Sequence, residues 1–446
     1  MTNRNLADLS LDASWIFPVL PRGRLFKDCS LLIKGDTIIG IEPTASVAER
    51  YEVKQRLNLD QQLLMPGLIN CHGHAAMSLL RGYADDLPLQ TWLEEHIWPT
   101  ESHSVNEQFV YDGTRLAIAE MLLSGTTCFS DMYFYPESSA KAAHESGMRA
   151  HIMFPVMDAA NNWARDADDA LHKGLTLRDV FRSQALIDVG FGPHAPYTIS
   201  DGVLKRIATY AEELQAPVQI HLHETEQEVQ QSLETYGVRP IERLHNLGLL
   251  GPLTQCVHMT QLQPQDQALL EATGAHVIHC PQSNMKLASG SCKVQALLDA
   301  EVNVALGTDG AASNNDLNMF AELQTAALLG KLVANNPAAL NTQTTLELAT
   351  INGAKAMGID DKVGSLEKGK QADVIAVDFS SLQAQPTFNP LSQLIYTGIG
   401  QAVRHSWVAG RQLVDNFQLT AMNTDELSAA GQRWQQHIHS QGSTPR

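Results

Sequence analysis

Cysteine is scarce in this chain: six in 446 residues, Cys29, Cys71, Cys128, Cys256, Cys280 and Cys292. No two are spaced as C-x-x-C, so a disulfide scaffold is not expected and a reducing cytoplasm fits. No apolar run approaches the ~18 residues of a membrane span. The opening residues, Met1 to Asp8, lack the apolar core of a signal peptide. The expectation is a cytoplasmic protein with no membrane partner. Basic residues are also short, 31 Lys and Arg against 49 Asp and Glu, for a net charge of -18. That charge repels a polyanion, so nucleic acid is not expected as a partner, whereas a neutral or zwitterionic small molecule is compatible. No short repeat or low-complexity tract is present. With 44% hydrophobic and 18% charged residues the composition is that of an ordinary globular protein.

What the chain does have is two textures. Its first ~65 residues read as short strands. Leu31-Leu32-Ile33 and Thr37-Ile38-Ile39 flank the turn Lys34-Gly35-Asp36. The same texture returns late, with Ala372 to Val377 as a strand and Ser406-Trp407-Val408 and Arg411 to Val414 around Ala409-Gly410. Between them, strands alternate with amphipathic helices. Thr126 to Phe129, Ala150 to Met153, Asp188 to Phe191, Val218 to His221, Gln255 to His258, His276 to His279 and Val302 to Leu306 read as strands. Asn106 to Leu123 and Asp201 to Leu214 read as helices. The pattern predicts a (β/α)8 TIM-like barrel over 66–365 and a small β-sandwich domain built from both chain ends, 1–65 plus 366–420. A helix and a polar tail over 421–446 complete it.

Barrel enzymes place catalytic groups at the C-terminal ends of their strands, and polar residues gather at those addresses here. His72 and His74 sit two apart after an apolar strand, on one face, a spacing that can serve one metal ion. A bare H-x-H is common, and the plain alternative is a polar loop. His221 ends another strand and offers a third ligand, with Glu224 as an acid or base. His223 has the same spacing and reads better as structural. No second histidine follows Glu224 at helical spacing, which excludes the H-E-x-x-H protease motif. His194, His258 and Asp309 complete the strand-end set, while His279 reads as a core histidine. Three histidines and one carboxylate suit a divalent ion, zinc first, with an open position for water, whose pKa falls towards ~7.

These residues resemble the amidohydrolase superfamily in its nucleoside-deaminase and triazine-hydrolase branch, and within it the 5-methylthioadenosine/S-adenosylhomocysteine deaminase family. The motifs that carry the resemblance are Pro66 to His74, Leu80 to Leu87 with Trp98 to Glu101, His194 to Tyr197, His221 to Thr225, His279 to Asn284 and Gly307 to Asn315. It implies His72, His74, His221 and Asp309 as ligands of one Zn2+. It implies Glu101, His194, Glu224, Asp309 and Arg165 as substrate contacts, Glu101 through ribose hydroxyls. A second basic residue that the family uses for an amino-acid tail falls in His151-Ile152-Met153-Phe154, where no arginine stands. Methylthioadenosine is therefore favoured over S-adenosylhomocysteine. No lysine stands at the strand ends, which argues against a binuclear centre. Cys280-Pro281 lacks the P-C-x-x-C of the unrelated zinc deaminase fold.

The expected reaction is hydrolytic deamination at C6 of an adenine nucleoside. Asp309 accepts the proton of the attacking water, Glu224 protonates N1, and His258 hydrogen-bonds the attacking oxygen. The expected partners are a small-molecule nucleoside and, in a homo-oligomer, further copies of the chain. The segment from Asp85 to Trp98, with Trp92, is expected either to cover the pocket or simply to pack as a helix. The rival readings are another deaminase or C–N hydrolase of the superfamily, acting on adenosine, guanine or a triazine, and a barrel that has become a non-enzymatic scaffold.

Overall fold

The computed structural model describes residues 4–399 and 402–441. The readings at Met1 to Asn3 and over the polar end at 442–446 lie outside the described residues. Four strands open the chain: β1 (Asn5–Ile16), β2 (Phe26–Lys34), β3 (Thr37–Pro43) and β4 (Tyr51–Pro66). Eight more follow in the middle: β5 (Leu68–Asn70), β6 (Thr126–Asp131), β7 (Arg149–Val156), β8 (Ile187–Pro193), β9 (Val218–Leu222), β10 (Thr254–His258), β11 (His276–His279) and β12 (Val304–Leu306). Four close it: β13 (Val374–Asp378), β14 (Val403–Val408), β15 (Arg411–Asp415) and β16 (Gln418–Leu419).

The middle strands run in the order β5 to β12, and every pairing is parallel. The sheet closes on itself: the Cys71 N–H donates to Leu306 O at 2.9 Å and the Asp309 N–H to His72 O at 3.0 Å. This is the expected barrel. Alternation along each strand sorts its residues. Outward-facing Phe129, Ile152, Phe154, Phe191, Ile220 and Val277 join the core shared with the surrounding helices. Inward-facing Ile69, Cys128, Val257, Ile278 and Ala305 meet Ala354, Ala356 and Met357 of the helix Ile351–Ala356 and its end. That helix plugs the barrel opposite the strand ends that carry the histidines.

Strands from both chain ends form one second sheet in the order β16-β15-β14-β13-β4-β1-β2-β3. It curls so that Leu11, Leu31 and Ile33 share one core with Val374, Ala376 and Trp407. The two predicted hairpins are present, β2 with β3 and β14 with β15. Ala409 and Gly410 turn the latter at φ of 45° and 75°, as a tight two-residue turn requires. One buried ion pair ties this sheet to the barrel. Arg149 at the start of β7 donates through Nε and Nη2 to the Asp373 carboxylate, both at 2.9 Å. Both side chains are almost wholly buried.

Candidate active site

Each strand end delivers its side chain through a local device. Thr225 caps the helix Glu226–Tyr236, and Glu228 in its first turn accepts the N–H groups of His223 and Glu224 at 2.8 Å each. This carboxylate pins the turn that carries Glu224. Asp309 and His258 stand in left-handed backbone, φ 63° and 76°, the kind of strain that persists where surrounding structure enforces it. Asp309 offsets part of the strain by accepting the Gly310 N–H at 2.8 Å. Gly307 is required by close approach: a Cβ there would lie 2.8 Å from the His72 Cβ and backbone nitrogen.

His72, His74, His221, His258 and Asp309 converge. The ligand atoms of His72, His74 and Asp309 lie within 4.8 Å of one another, as do those of His72, His221 and His258. His74 Nε2 is 3.2 Å and His72 Nε2 is 3.5 Å from Asp309 Oδ1. Outside the cluster each imidazole is held by an oxygen. His74 Nδ1 donates to Met132 O at 2.6 Å and His221 Nδ1 to His194 O at 2.7 Å. His72 Nδ1 donates to Gln219 Oε1 at 2.7 Å and His258 Nδ1 to Asn284 Oδ1 at 2.9 Å. With Nδ1 of His72 and His221 each donating, the Nε2 lone pairs of those two rings face inward. His72 and His221 then oppose two lone pairs at 3.2 Å, which repel unless a cation lies between them. The donor set therefore fits a divalent ion with imidazole and carboxylate ligands.

The electrostatics separate the two acids. Burial alone would raise Asp309, but His72 and His74, when protonated on the Nε2 atoms that face it, outweigh burial and hold its carboxyl well below the usual range. Burial, reinforced by the charge of Asp309, pushes Glu224 up to about 8. Glu224 Oε2 lies 3.8 Å from His258 Nε2. Burial and the neighbouring His74 and His72 pull His194 down to about 4, so it is neutral at pH 7.

The cluster forms the floor of a cavity of about 770 Å³ whose walls include His74, Glu101, His194, His221, Glu224, His258 and Asp309. Glu101 is buried and accepts a hydrogen bond from the Tyr133 hydroxyl at 2.6 Å. Burial lifts its carboxyl to about 7 against that hydrogen bond. Leu89, Trp92, Leu93, Ile97 and Trp98 make an apolar wall, so the 85–98 segment does line the pocket.

Arg165 is the exception among the predicted site residues. Its side chain is 84% exposed, faces Asp169 four residues on, and is absent from the cavity wall. A helix-start carboxylate captures it; the wall at this point is instead Asp158 to Asn162. His223 stands away from the cluster, its Nε2 accepting the Ile241 N–H at 3.1 Å. His279 is buried and also stands off the cavity wall. Sequence reasoning missed the roles of Tyr133, Gln219, Glu228, Asn284 and Ser283, whose hydroxyl donates to Asp309 Oδ2 at 2.7 Å. Gln219 left a signal, a polar residue inside a buried strand two before His221. Thr225 and Glu228, three apart before a helix, left the signature of a capped start.

Comparison with known proteins places this geometry. Residues 63–413 match the Amidohydrolase family. The chain belongs to that family. A 5-methylthioadenosine/S-adenosylhomocysteine deaminase of Teredinibacter turnerae is 60% identical over 98% of this chain and 99% of its own length. A 5'-deoxyadenosine deaminase of Methanosarcina acetivorans is 39% identical over 95% and 96%. Among solved structures, an adenosine deaminase from Xanthomonas campestris with bound zinc superposes with a TM-score of 0.97 at 43% identity, covering 98% of this chain and all of that one. Among the described residues, no helix is long and apolar enough to cross a membrane.

Proposed function

We propose that this chain is a zinc-dependent aminohydrolase that replaces the 6-amino group of an adenine nucleoside thioether with oxygen, converting 5'-methylthioadenosine to 5'-methylthioinosine. The observation that carries the reading is the pair of opposed Nε2 atoms of His72 and His221, 3.2 Å apart beside Asp309, under a protonated acid, Glu224. The names of the relatives point to adenine nucleosides. His72, His74, His221 and Asp309 would hold the ion. When bound, such an ion lowers the pKa of a water towards ~7 and makes it a nucleophile at neutral pH.

The chain's own residues do the rest. Asp309, ionised at neutral pH, takes one proton from the attacking water. His258, neutral and protonated on Nδ1, accepts a hydrogen bond from that water at Nε2 and aims its oxygen at C6. Glu224, protonated below about pH 8, gives its proton to N1 so that charge does not build on the ring. Asp309 then passes its proton to the departing amino nitrogen. Ammonia leaves, and the remaining hydroxyl proton returns to Glu224. Glu101, held by Tyr133, accepts from ribose hydroxyls, and His194 contacts the substrate from the opposite wall.

Among the described residues no Lys or Arg lines the cavity, and Arg165 faces away from it. A neutral methylthio tail against Trp92 and Leu93 suits this wall better than the carboxylate of a homocysteine tail. The test is ultraviolet-monitored deamination of methylthioadenosine, S-adenosylhomocysteine and adenosine side by side with zinc-loaded protein. The largest kcat/KM is expected for methylthioadenosine. Preference for S-adenosylhomocysteine would sink the tail assignment.

A further inference from the structure

Gln219 lies inside the barrel, fully buried, two residues before His221 on β9. Its Oε1 is 2.7 Å from His72 Nδ1. Its Nε2 lies 2.8 Å from Cys71 O and 2.6 Å from Gln255 Oε1. Ser130 Oγ is a longer neighbour at 3.3 Å. Gln255 is also fully buried, and its own Nε2 donates to Ala356 O at 2.8 Å. Ala356 ends the helix that plugs the far end of the barrel.

The direction of this chain of bonds is forced. A side-chain amide can be turned over, but a main-chain carbonyl can only accept. Ala356 O therefore requires the amino end of Gln255, leaving Gln255 Oε1 towards Gln219. Cys71 O and Gln255 Oε1 together require the amino end of Gln219. Its carbonyl end must then face His72, and a carbonyl needs a donor there. His72 is left with its proton on Nδ1 and a bare Nε2.

We infer that Gln219, oriented by Gln255 and by two main-chain carbonyls, is a positioning residue that locks His72 in the Nδ1–H tautomer and so presents Nε2 as a ready metal ligand. The relay runs from the barrel plug to the metal cluster. It explains why two glutamines are buried in the middle of strands otherwise filled with apolar side chains, where an unpaired amide is costly. The other histidines of the cluster take their tautomer from oxygens nearer the strand ends; His72 alone is set through the barrel interior. Hydrogen-bond partners of this kind typically change metal affinity 10–100-fold when removed.

The inference rests on the metal site proposed above. Its test is zinc affinity by competition with a chromogenic chelator, in the native chain and in Gln219→Met, Gln255→Met and the double variant. Thermal melting of the metal-free forms runs alongside. Gln219→Met should weaken zinc about 10–100-fold. Gln255→Met should weaken it less, and the double variant no more than Gln219→Met, because Gln255 acts through Gln219. A merely structural role would lower all melting temperatures and leave zinc affinity unmoved, and that result overturns the inference. If the glutamine variants fail to fold, nitrogen-15 spectra of histidine-labelled native protein with zinc bound decide it. A proton on His72 Nδ1 and zinc on Nε2 are expected; the reverse overturns the relay while leaving the metal reading intact. A native chain that binds no zinc overturns both.

Discussion

Glu224 and Asp309 are two carboxyl groups in one cavity, set to opposite tasks by what surrounds them. Asp309 faces two imidazoles and stays ionised; Glu224 is raised by burial and the charge of Asp309 and is protonated at neutral pH. Glu224→Gln keeps the shape and removes the transferable proton. It is expected to lower kcat about 10²–10⁴-fold with zinc still bound, measured by turnover and metal content together. If Glu224 is the proton donor proposed above, its protonated form is the active one and kcat/KM should fall as pH rises through about 8, and a profile still rising above that value would contradict the assignment. Tyr133→Phe removes the donor to Glu101. It should cost nucleosides more kcat/KM than free adenine, since only the nucleosides present ribose.

The residues proposed for the metal site, with Glu224 and His258, were legible in the sequence because each stands at the end of an apolar strand, an address that period and punctuation reveal; Glu101, on the helix Trp98–Ser104, came only from the family resemblance. The residues that hold them were not legible. Gln219 reaches His72 across the barrel, and Tyr133 and Asn284 meet Glu101 and His258 between neighbouring strand-end segments; such contacts appear only once the strands close into a cylinder. Arg165 shows the converse: its alignment with a tail-binding position was plausible, but Asp169 one turn along draws its side chain to the surface.

Among elements, β12 is tightly constrained. It is three residues long, and Gly307 beyond it passes so close to His72 that a Cβ there would lie 2.8 Å from it. Gly307→Ala forces a methyl against the backbone and Cβ of His72, which a flexible side chain cannot relieve. A loss of about 1–3 kcal/mol or more in stability is expected, with reduced zinc content, read by denaturant unfolding and metal analysis. The segment around Trp92 behaves differently. It packs on Ala76, Phe109 and, through Trp434 and Ile438, on the final helix Thr424–Ser440, so the C-terminal helix buttresses the apolar wall. Sequence pattern left that segment undecided between lid and plain packing, because an apolar helical stripe looks the same against solvent-facing substrate or against protein.

At the scale of the whole molecule, the barrel and the curled sheet are joined by a buried pair, Arg149 and Asp373, from strands more than two hundred residues apart. The fold class was readable from the two textures of the chain, since strand-rich ends cannot each bury a face alone. The pairing itself was not, since one arginine at a strand start gives no sign of its partner. Removing Arg149 leaves Asp373 buried and uncompensated. Arg149→Met is expected to cost about 3–5 kcal/mol, seen as an earlier unfolding transition; an unchanged transition would show the pair to be dispensable.

The central claim is that one metal cluster under a protonated Glu224 deaminates an adenine nucleoside. The most direct measurement follows the ultraviolet change of methylthioadenosine with the zinc-loaded chain, before and after chelation and again after zinc is restored. The account predicts conversion to the 6-oxopurine with ammonia released in equal amount, loss on chelation and recovery with zinc. No conversion by the zinc-loaded chain, or conversion untouched by full removal of the metal, would contradict it.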